Sequence, residues 1–142
     1  MAATSTELTG TCLCGAISVA VKGPLTMKMC HCMDCRKFTG TNAAYILPVA
    51  RTDVRVTGSP KQFWTVSDNG KKYCRGFCAE CGSSVIDESP HYEAVYWVHM
   101  GIFPAHTIPP PIEESFWVNA ESWEILHPGV RVLERQEGQD DV

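Results

Sequence analysis

The chain has 142 residues, 44% of them hydrophobic, which suits one domain with a single core. The formal net charge of −4 and the absence of a long basic run exclude a protein that recognises nucleic acid through phosphate charge. No apolar stretch is long enough to span a membrane, and the first residues do not resemble a secretory leader. We therefore expect a cytoplasmic protein with no nucleic-acid or membrane partner.

The elements predicted along the chain are many short strands and at most one or two short helices, so the predicted fold class is mainly β. A short helix is expected within residues 30–39, closed by Gly40. Asn69-Gly70 lies between two strand-like segments and predicts a hairpin. The proline-rich residues 108–112 predict an extended polyproline-like segment and not an element of its own. Strands are predicted at residues 16–21, 43–49, 53–56, 62–66, 71–77 and 94–99.

The chain ends differ in composition from the middle. Residues 1–9 form a polar lead that we expect to be flexible, and residues 134–142 form an acidic tail that we expect to be disordered. The folded domain is therefore predicted over residues 10–133.

Seven of the eight cysteines fall into three clusters with metal-ligand spacing. Without a secretory leader, such a count favours metal ligation over disulfides. Two clusters, Cys12-Leu13-Cys14-Gly15 and Cys78-Ala79-Glu80-Cys81-Gly82, end in a glycine that lets the backbone turn with positive φ. Together they supply four thiolates, the ligand set of a closed structural zinc site.

The remaining cluster, Cys30-His31-Cys32-Met33-Asp34-Cys35, has three cysteines. Three protein ligands with an open position are typical of a catalytic zinc. Two alternatives stay open: a fourth ligand from Cys74, His31, His99 or a carboxylate would close the site, or Cys32 and Cys35 would form a redox pair.

Basic residues lie near these clusters in the sequence. Arg36 and Lys37 follow Cys35 directly, and Arg75 precedes Cys78 by three positions. They are candidates for binding an acidic substrate and lowering thiol pKa values, or are ordinary solvated charges.

Other conspicuous side chains are assigned structural roles. His31 is expected to point away from its cysteine neighbours, His99 to be a satisfied core histidine, and Cys74 to be a small core residue. The four tryptophans are also expected in the core; they are Trp64, Trp97, Trp117 and Trp123.

Three segments together resemble the motifs of the glutathione-dependent formaldehyde-activating enzyme family, which also includes centromere protein V. They are Thr11–Ala16, Cys30–Lys37 with Gly40, and Arg75–Ser83. The resemblance implies a β-tent fold, a structural zinc on Cys12, Cys14, Cys78 and Cys81, and a catalytic zinc on Cys30, Cys32 and Cys35. It also implies a carbon–sulfur lyase reaction in which formaldehyde and glutathione, the co-substrate, form S-hydroxymethylglutathione.

Two other functions remain compatible with the sequence. One is a zinc enzyme of secondary metabolism that keeps the fold and takes a different small molecule. The other is a non-enzymatic, zinc-stabilised binding module, although such a module is expected to carry basic or disordered extensions. The cysteine pattern fixes the fold and the metals more firmly than the substrate.

Overall fold

The computed structural model describes residues 6–136. Within this range it contains eleven strands, one α-helix and three short 3-10 helices, which confirms the mainly β prediction. The strands are β1 (Leu8–Thr11), β2 (Ser18–Val21), β3 (Met27–Cys30), β4 (Ala44–Ala50), β5 (Val54–Thr57), β6 (Lys61–Val66), β7 (Lys72–Phe77), β8 (Ser84–Glu88), β9 (Val95–His99), β10 (Pro111–Ser115) and β11 (Arg131–Val132). The helix is α1 (Met33–Thr39), and the 3-10 helices are Arg51–Asp53, Met100–Ile102 and Trp117–Asn119.

The strands form two sheets. A small antiparallel sheet has the order β1-β2-β5, and a larger sheet has the order β11-β10-β3-β4-β9-β8-β7-β6. In the larger sheet β10 runs parallel to both β3 and β11, whereas the remaining pairs of described strands are antiparallel. Strands β10 and β3 are more than eighty residues apart in the sequence, so their pairing is a long-range contact.

The hydrophobic core joins the two sheets. Val19 and Val21 of β2 are fully buried in one cluster with Leu47 of β4 and Val98 of β9. Because side chains alternate across a strand, the neighbours of Val98 point to the opposite face of the larger sheet. That face is partly polar, and it forms the floor of the cavity described below.

The hairpin predicted at Asn69-Gly70 is confirmed. Strands β6 and β7 pair antiparallel, with Val66 opposite Lys72, and Gly70 adopts a φ of +77°. Positive φ is accessible to glycine without steric cost, so the turn follows from its sequence. No helix within residues 6–136 is both apolar enough and long enough to cross a bilayer.

Several predictions differ from the structure. Pro111 and Ile112 begin β10, so the polyproline prediction for residues 108–112 is wrong at its end. Trp64 and Trp123 are 50% and 67% exposed and are not core residues. The predicted lead, residues 1–9, overlaps β1 from Leu8, while residues 1–5 and the tail residues 137–142 lie outside the described range.

Candidate metal centres and their cavity

Four cysteines converge where two turns meet. One turn follows β1 and carries Cys12 and Cys14; the other joins β7 to β8 and carries Cys78 and Cys81. Their sulfurs all lie within 4.8 Å of one another, and the Cys12–Cys14 and Cys14–Cys78 sulfur pairs are each 3.7 Å apart. Thiolates bound tetrahedrally at about 2.3 Å from a cation would be about 3.8 Å apart, so this set fits a closed metal site.

Hydrogen bonds stabilise both turns and lower the pKa of one of their thiols. Gly15 and Gly82, at φ of +81° and +77°, each donate an N–H to the carbonyl of the first cysteine of their turn. Ser83 connects the turns, because its hydroxyl accepts from Leu13 N–H at 3.0 Å and contacts Cys81 Sγ at 3.2 Å. Hydrogen bonds from Ser83 lower the pKa of the Cys81 thiol to about 5. The site thus favours a thiolate before any metal binds.

The other three cysteines lie at the start of the helix. Cys30 ends β3, Cys32 is the N-cap of α1, and Cys35 is buried in its first turn. Cys32 Sγ accepts from Cys35 N–H at 3.3 Å, and Gly40 ends the helix in a left-handed conformation. Their three sulfurs also lie within 4.8 Å of one another.

The three thiols shift one another's pKa values in opposite directions. Hydrogen bonds from Cys32 and Cys35 hold the pKa of Cys30 well below its usual range. The same interactions raise the pKa of Cys32 to about 11 and that of Cys35 well above its usual range. The three thiols therefore oppose one another's ionisation, and a bound cation would favour the thiolate form of all three.

The proposed fourth ligands do not join this set within the described residues. Cys74, His31 and His99 are all absent from the group of ligand atoms within 4.8 Å. Cys74 is buried, as predicted, on the opposite side of β7 from Arg75, and His99 is a buried, hydrogen-bonded histidine, also as predicted. The three-cysteine set therefore has an open side.

That open side faces a cavity of about 420 Å³. The volume lies in the range of small-molecule sites, about 300–1,000 Å³. The floor comes from alternate residues of neighbouring strands, since Arg75 pairs with Asp87 and Asp87 pairs with Trp97. The lining residues are Lys28, Met29, Cys30, Cys32, Met33, Asp34, Cys35, Ile46, Ser67, Asp68, Asn69, Tyr73, Arg75, Asp87, Tyr92, Trp97, Glu113, Ser115, Phe116 and Gln136.

A buried polar network supports the cysteines from the floor. Arg75 Nη1 donates to Asp87 Oδ2 at 2.8 Å and approaches Cys35 Sγ at 3.6 Å. The same Asp87 oxygen lies 3.1 Å from His99 Nε2. Burial opposes the charge of Arg75, but Asp87 and then Cys35 outweigh it and raise its pKa. Asp87 Oδ1 is buried without a hydrogen-bond partner, which leaves one acceptor for a bound molecule.

The three predicted basic residues are placed differently. Arg75 reaches the cluster, whereas Arg36 donates to Asn119 O and Glu121 Oε1, both at 2.8 Å, and ties α1 to a later segment. Lys37 is exposed on the helix. Within the described residues, neither Arg36 nor Lys37 lines the cavity.

A second buried network lies behind the cysteine loop. His31 is fully buried and points away from the cluster, as predicted, with Nε2 3.2 Å from Glu114 Oε2. Glu114 also accepts from His127 Nδ1 at 2.8 Å. Burial would raise the pKa of Glu114, but these hydrogen bonds hold it below its usual range. The network therefore fixes the position of His31, which lies between Cys30 and Cys32 in the sequence.

We expect Glu114→Gln to lower the free energy of unfolding by about 2–3 kcal/mol, because it removes a buried charged acceptor from two histidines. Urea unfolding of the metal-loaded protein at pH 7 measures this. Glu121→Gln is the matched control, since its exposed pair with Arg36 is worth less than about 1 kcal/mol. Equal losses for the two variants would contradict a structural role for the Glu114 network.

Four site residues escaped the sequence analysis: Asp87, Tyr73, Tyr92 and Trp97, the last assigned to the core. All four line the cavity. The alternation of buried and polar positions in β7 to β9 could have indicated Asp87, Tyr73 and Trp97, but it requires the strand register. Tyr92 lies outside the strands and had no such signal.

A strand-rich fold with a closed set of four thiols and an open set of three defines a small protein able to hold two metal ions. Comparison with known protein families agrees with this description. The model of the glutathione-dependent formaldehyde-activating enzyme family matches residues 7–120, and the chain belongs to that family. No curated protein sequence shows a significant match.

One similar solved structure is a crystal structure of a Rhodobacter sphaeroides protein. It is 24% identical, with a TM-score of 0.53, and the match covers 72% of this chain and 92% of that one. At this identity the likeness supports the fold alone.

Proposed function

We propose that the protein is a zinc-dependent carbon–sulfur lyase-type enzyme of the cytosol that joins a thiol to a small carbonyl compound and also catalyses the reverse reaction. The family name supplies the reference reaction, formaldehyde with glutathione to give S-hydroxymethylglutathione. In this reaction the thiol sulfur bonds to the carbonyl carbon and the thiol proton ends on the carbonyl oxygen. No oxidant or reductant is required.

The observation that carries the proposal is the contrast between the two cysteine sets. Cys12, Cys14, Cys78 and Cys81 supply four thiols, so a metal there would have no position left for a substrate. Cys30, Cys32 and Cys35 supply three and open onto the cavity. Such a set suits a catalytic zinc.

The chain's own residues have distinct roles beside this centre. When bound by Cys30, Cys32 and Cys35, zinc supplies a Lewis acid and a site for a thiolate. Arg75 lies against Cys35 and offsets the excess negative charge of three thiolates. Asp87 lines the cavity and its Oδ1 has no hydrogen-bond partner, so we assign to it the role of acceptor for the proton that leaves the thiol or for the hydroxyl of the adduct.

The binding-module alternative has one observation in its favour. Strand β6 is an edge of the larger sheet, and Phe63, Trp64 and Val66 on it are at least half exposed. An apolar edge strand is a potential pairing surface for another chain. None of these three residues lines the cavity, so a pairing surface here does not account for the open cluster.

The test is two-dimensional exchange NMR of formaldehyde with glutathione, with metal-loaded wild type and Cys32→Ser. We expect wild type alone to accelerate exchange above the uncatalysed rate, because serine removes one ligand of the open set. Equal exchange in the presence of both proteins and in buffer would exclude this reaction for glutathione.

A further inference from the structure

The cavity has an aromatic wall that the reference reaction does not use. Tyr73 on β7, Trp97 on β9 and Tyr92 just before β9 have ring centroids 5.6–6.4 Å from one another. All three rings are half-buried and line the cavity, and none belongs to the hydrophobic core. Such a cluster offers a large apolar surface to a flat ligand.

The aromatic wall adjoins the open cysteine set. The Arg75 guanidinium carbon lies 5.7 Å from the Tyr73 ring centroid, while its Nη1 lies 3.6 Å from Cys35 Sγ. One buried side chain thus contacts both parts of the site. A ligand about the size of one ring with a short polar arm would reach from the aromatic wall to the sulfurs.

The charges around the cavity disfavour an anionic ligand. Four carboxylates line it, against two cations, and each cation faces a carboxylate. Lys28 Nζ lies 3.4 Å from Glu113 Oε1, and Arg75 is paired with Asp87. A third cation, Lys71, faces the Tyr92 ring at 4.5 Å and, within the described residues, does not line the cavity.

Glutathione fits this lining poorly. Its two carboxylates need charge-assisted donors, but both lining cations are already ion-paired, which leaves the buried Arg75 Nε as an unpartnered N–H for one of them. Asp87 Oδ1 is also a buried atom without a partner, and an O–H, N–H or S–H donor of a ligand would satisfy it.

We propose that this cavity binds an aromatic compound without carboxylates, with its ring against Tyr73, Tyr92 and Trp97 and a hydroxyl or thiol directed to Asp87 and the cysteines. This inference rests on the proposed function for the reaction and names its substrate class. The thiol that adds to the carbonyl compound is then an arylalkyl thiol without carboxylates in place of glutathione.

Binding is measured first, without turnover. Benzyl alcohol is the probe, and saturation-transfer NMR reports its contact with the metal-loaded protein. We expect binding to wild type and a loss of about tenfold or more in affinity for Trp97→Ala. Trp123→Ala is the matched control, since Trp123 is 67% exposed and does not line the cavity; it should bind as wild type does. Tyr92→Ala, outside the strands, replaces Trp97→Ala if that variant does not fold.

Turnover then separates this inference from the proposed function. In formaldehyde exchange, benzyl mercaptan should be accelerated at least about tenfold more than glutathione, and Trp97→Ala should remove that preference. If benzyl alcohol binds but neither thiol is accelerated, the lyase proposal fails and the aromatic site stands. If benzyl alcohol does not bind, or glutathione is preferred, the aromatic substrate class is wrong.

Discussion

Cys78→Ser should unfold the protein, whereas Cys32→Ser should leave it folded with one zinc ion fewer. A structural zinc contributes about 10–16 kcal/mol, which is comparable to the whole stability of a typical domain, about 5–15 kcal/mol. Cys14 and Cys78 are 64 positions apart, so a metal bound by both would connect distant turns of the fold. Losing a buried ligand there should therefore remove the folded state.

The three-cysteine set is local by comparison. All its ligands lie within residues 30–35, and other contacts already hold this segment. Asn119 donates to His31 O at 3.1 Å, and His31 N–H donates to Ser115 O at 3.0 Å. Serine in place of Cys32 also keeps an acceptor for Cys35 N–H, since serine is a favoured N-cap. Cys32→Ser thus tests the second metal without disturbing the helix.

The measurement combines metal content by mass spectrometry with near-ultraviolet circular dichroism. Wild type should hold two zinc ions per chain, and Cys32→Ser should hold one with a native spectrum. Cys78→Ser should give no cooperative thermal transition. If Cys32→Ser also unfolds, or if Cys78→Ser stays native, the division into structural and open metals is wrong.

The sequence predicted those elements whose signals are local. Asn69-Gly70 identified the β6–β7 hairpin, and Gly40 identified the end of α1. Strand β3 was missed because Met27–Cys30 contains no β-branched or aromatic residue. Strand β10 was missed because Pro111 begins it and its partner β3 lies far away in the chain.

The residues of the candidate site show the same difference between local signals and long-range pairing. The grouping of the seven cysteines could be predicted because metal ligands in tight turns have characteristic spacing. Asp87 could not be predicted, because it faces Arg75 only through the β7–β8 register. Arg36 is next to Cys35 in sequence, yet the helix directs it to Asn119; Arg75, forty positions away, reaches the sulfur. Proximity in sequence therefore does not decide which arginine reaches the sulfurs.

Arg75→Gln should weaken zinc binding at the three-cysteine set by about 10–100-fold, the usual effect of losing a residue that supports metal ligands. Three thiolates and one divalent ion leave a net charge of −1, and the buried Arg75 guanidinium contacts this set 3.6 Å from Cys35 Sγ. Its burial makes this compensation strong, because little water screens the two charges. The four-cysteine set does not contact Arg75 through any sulfur and should keep its affinity.

Competition with a chromophoric chelator resolves the two zinc ions as separate steps, and only the weaker step should shift in Arg75→Gln. Arg36→Gln is the matched control, because Arg36 carries the same charge next to Cys35 in sequence but directs it to Glu121. It should leave both steps within about threefold of wild type, as expected for a partly exposed ion pair. A shift of equal size in Arg36→Gln would mean that general positive charge near the helix, and not the buried contact of Arg75 with Cys35, stabilises the open metal centre.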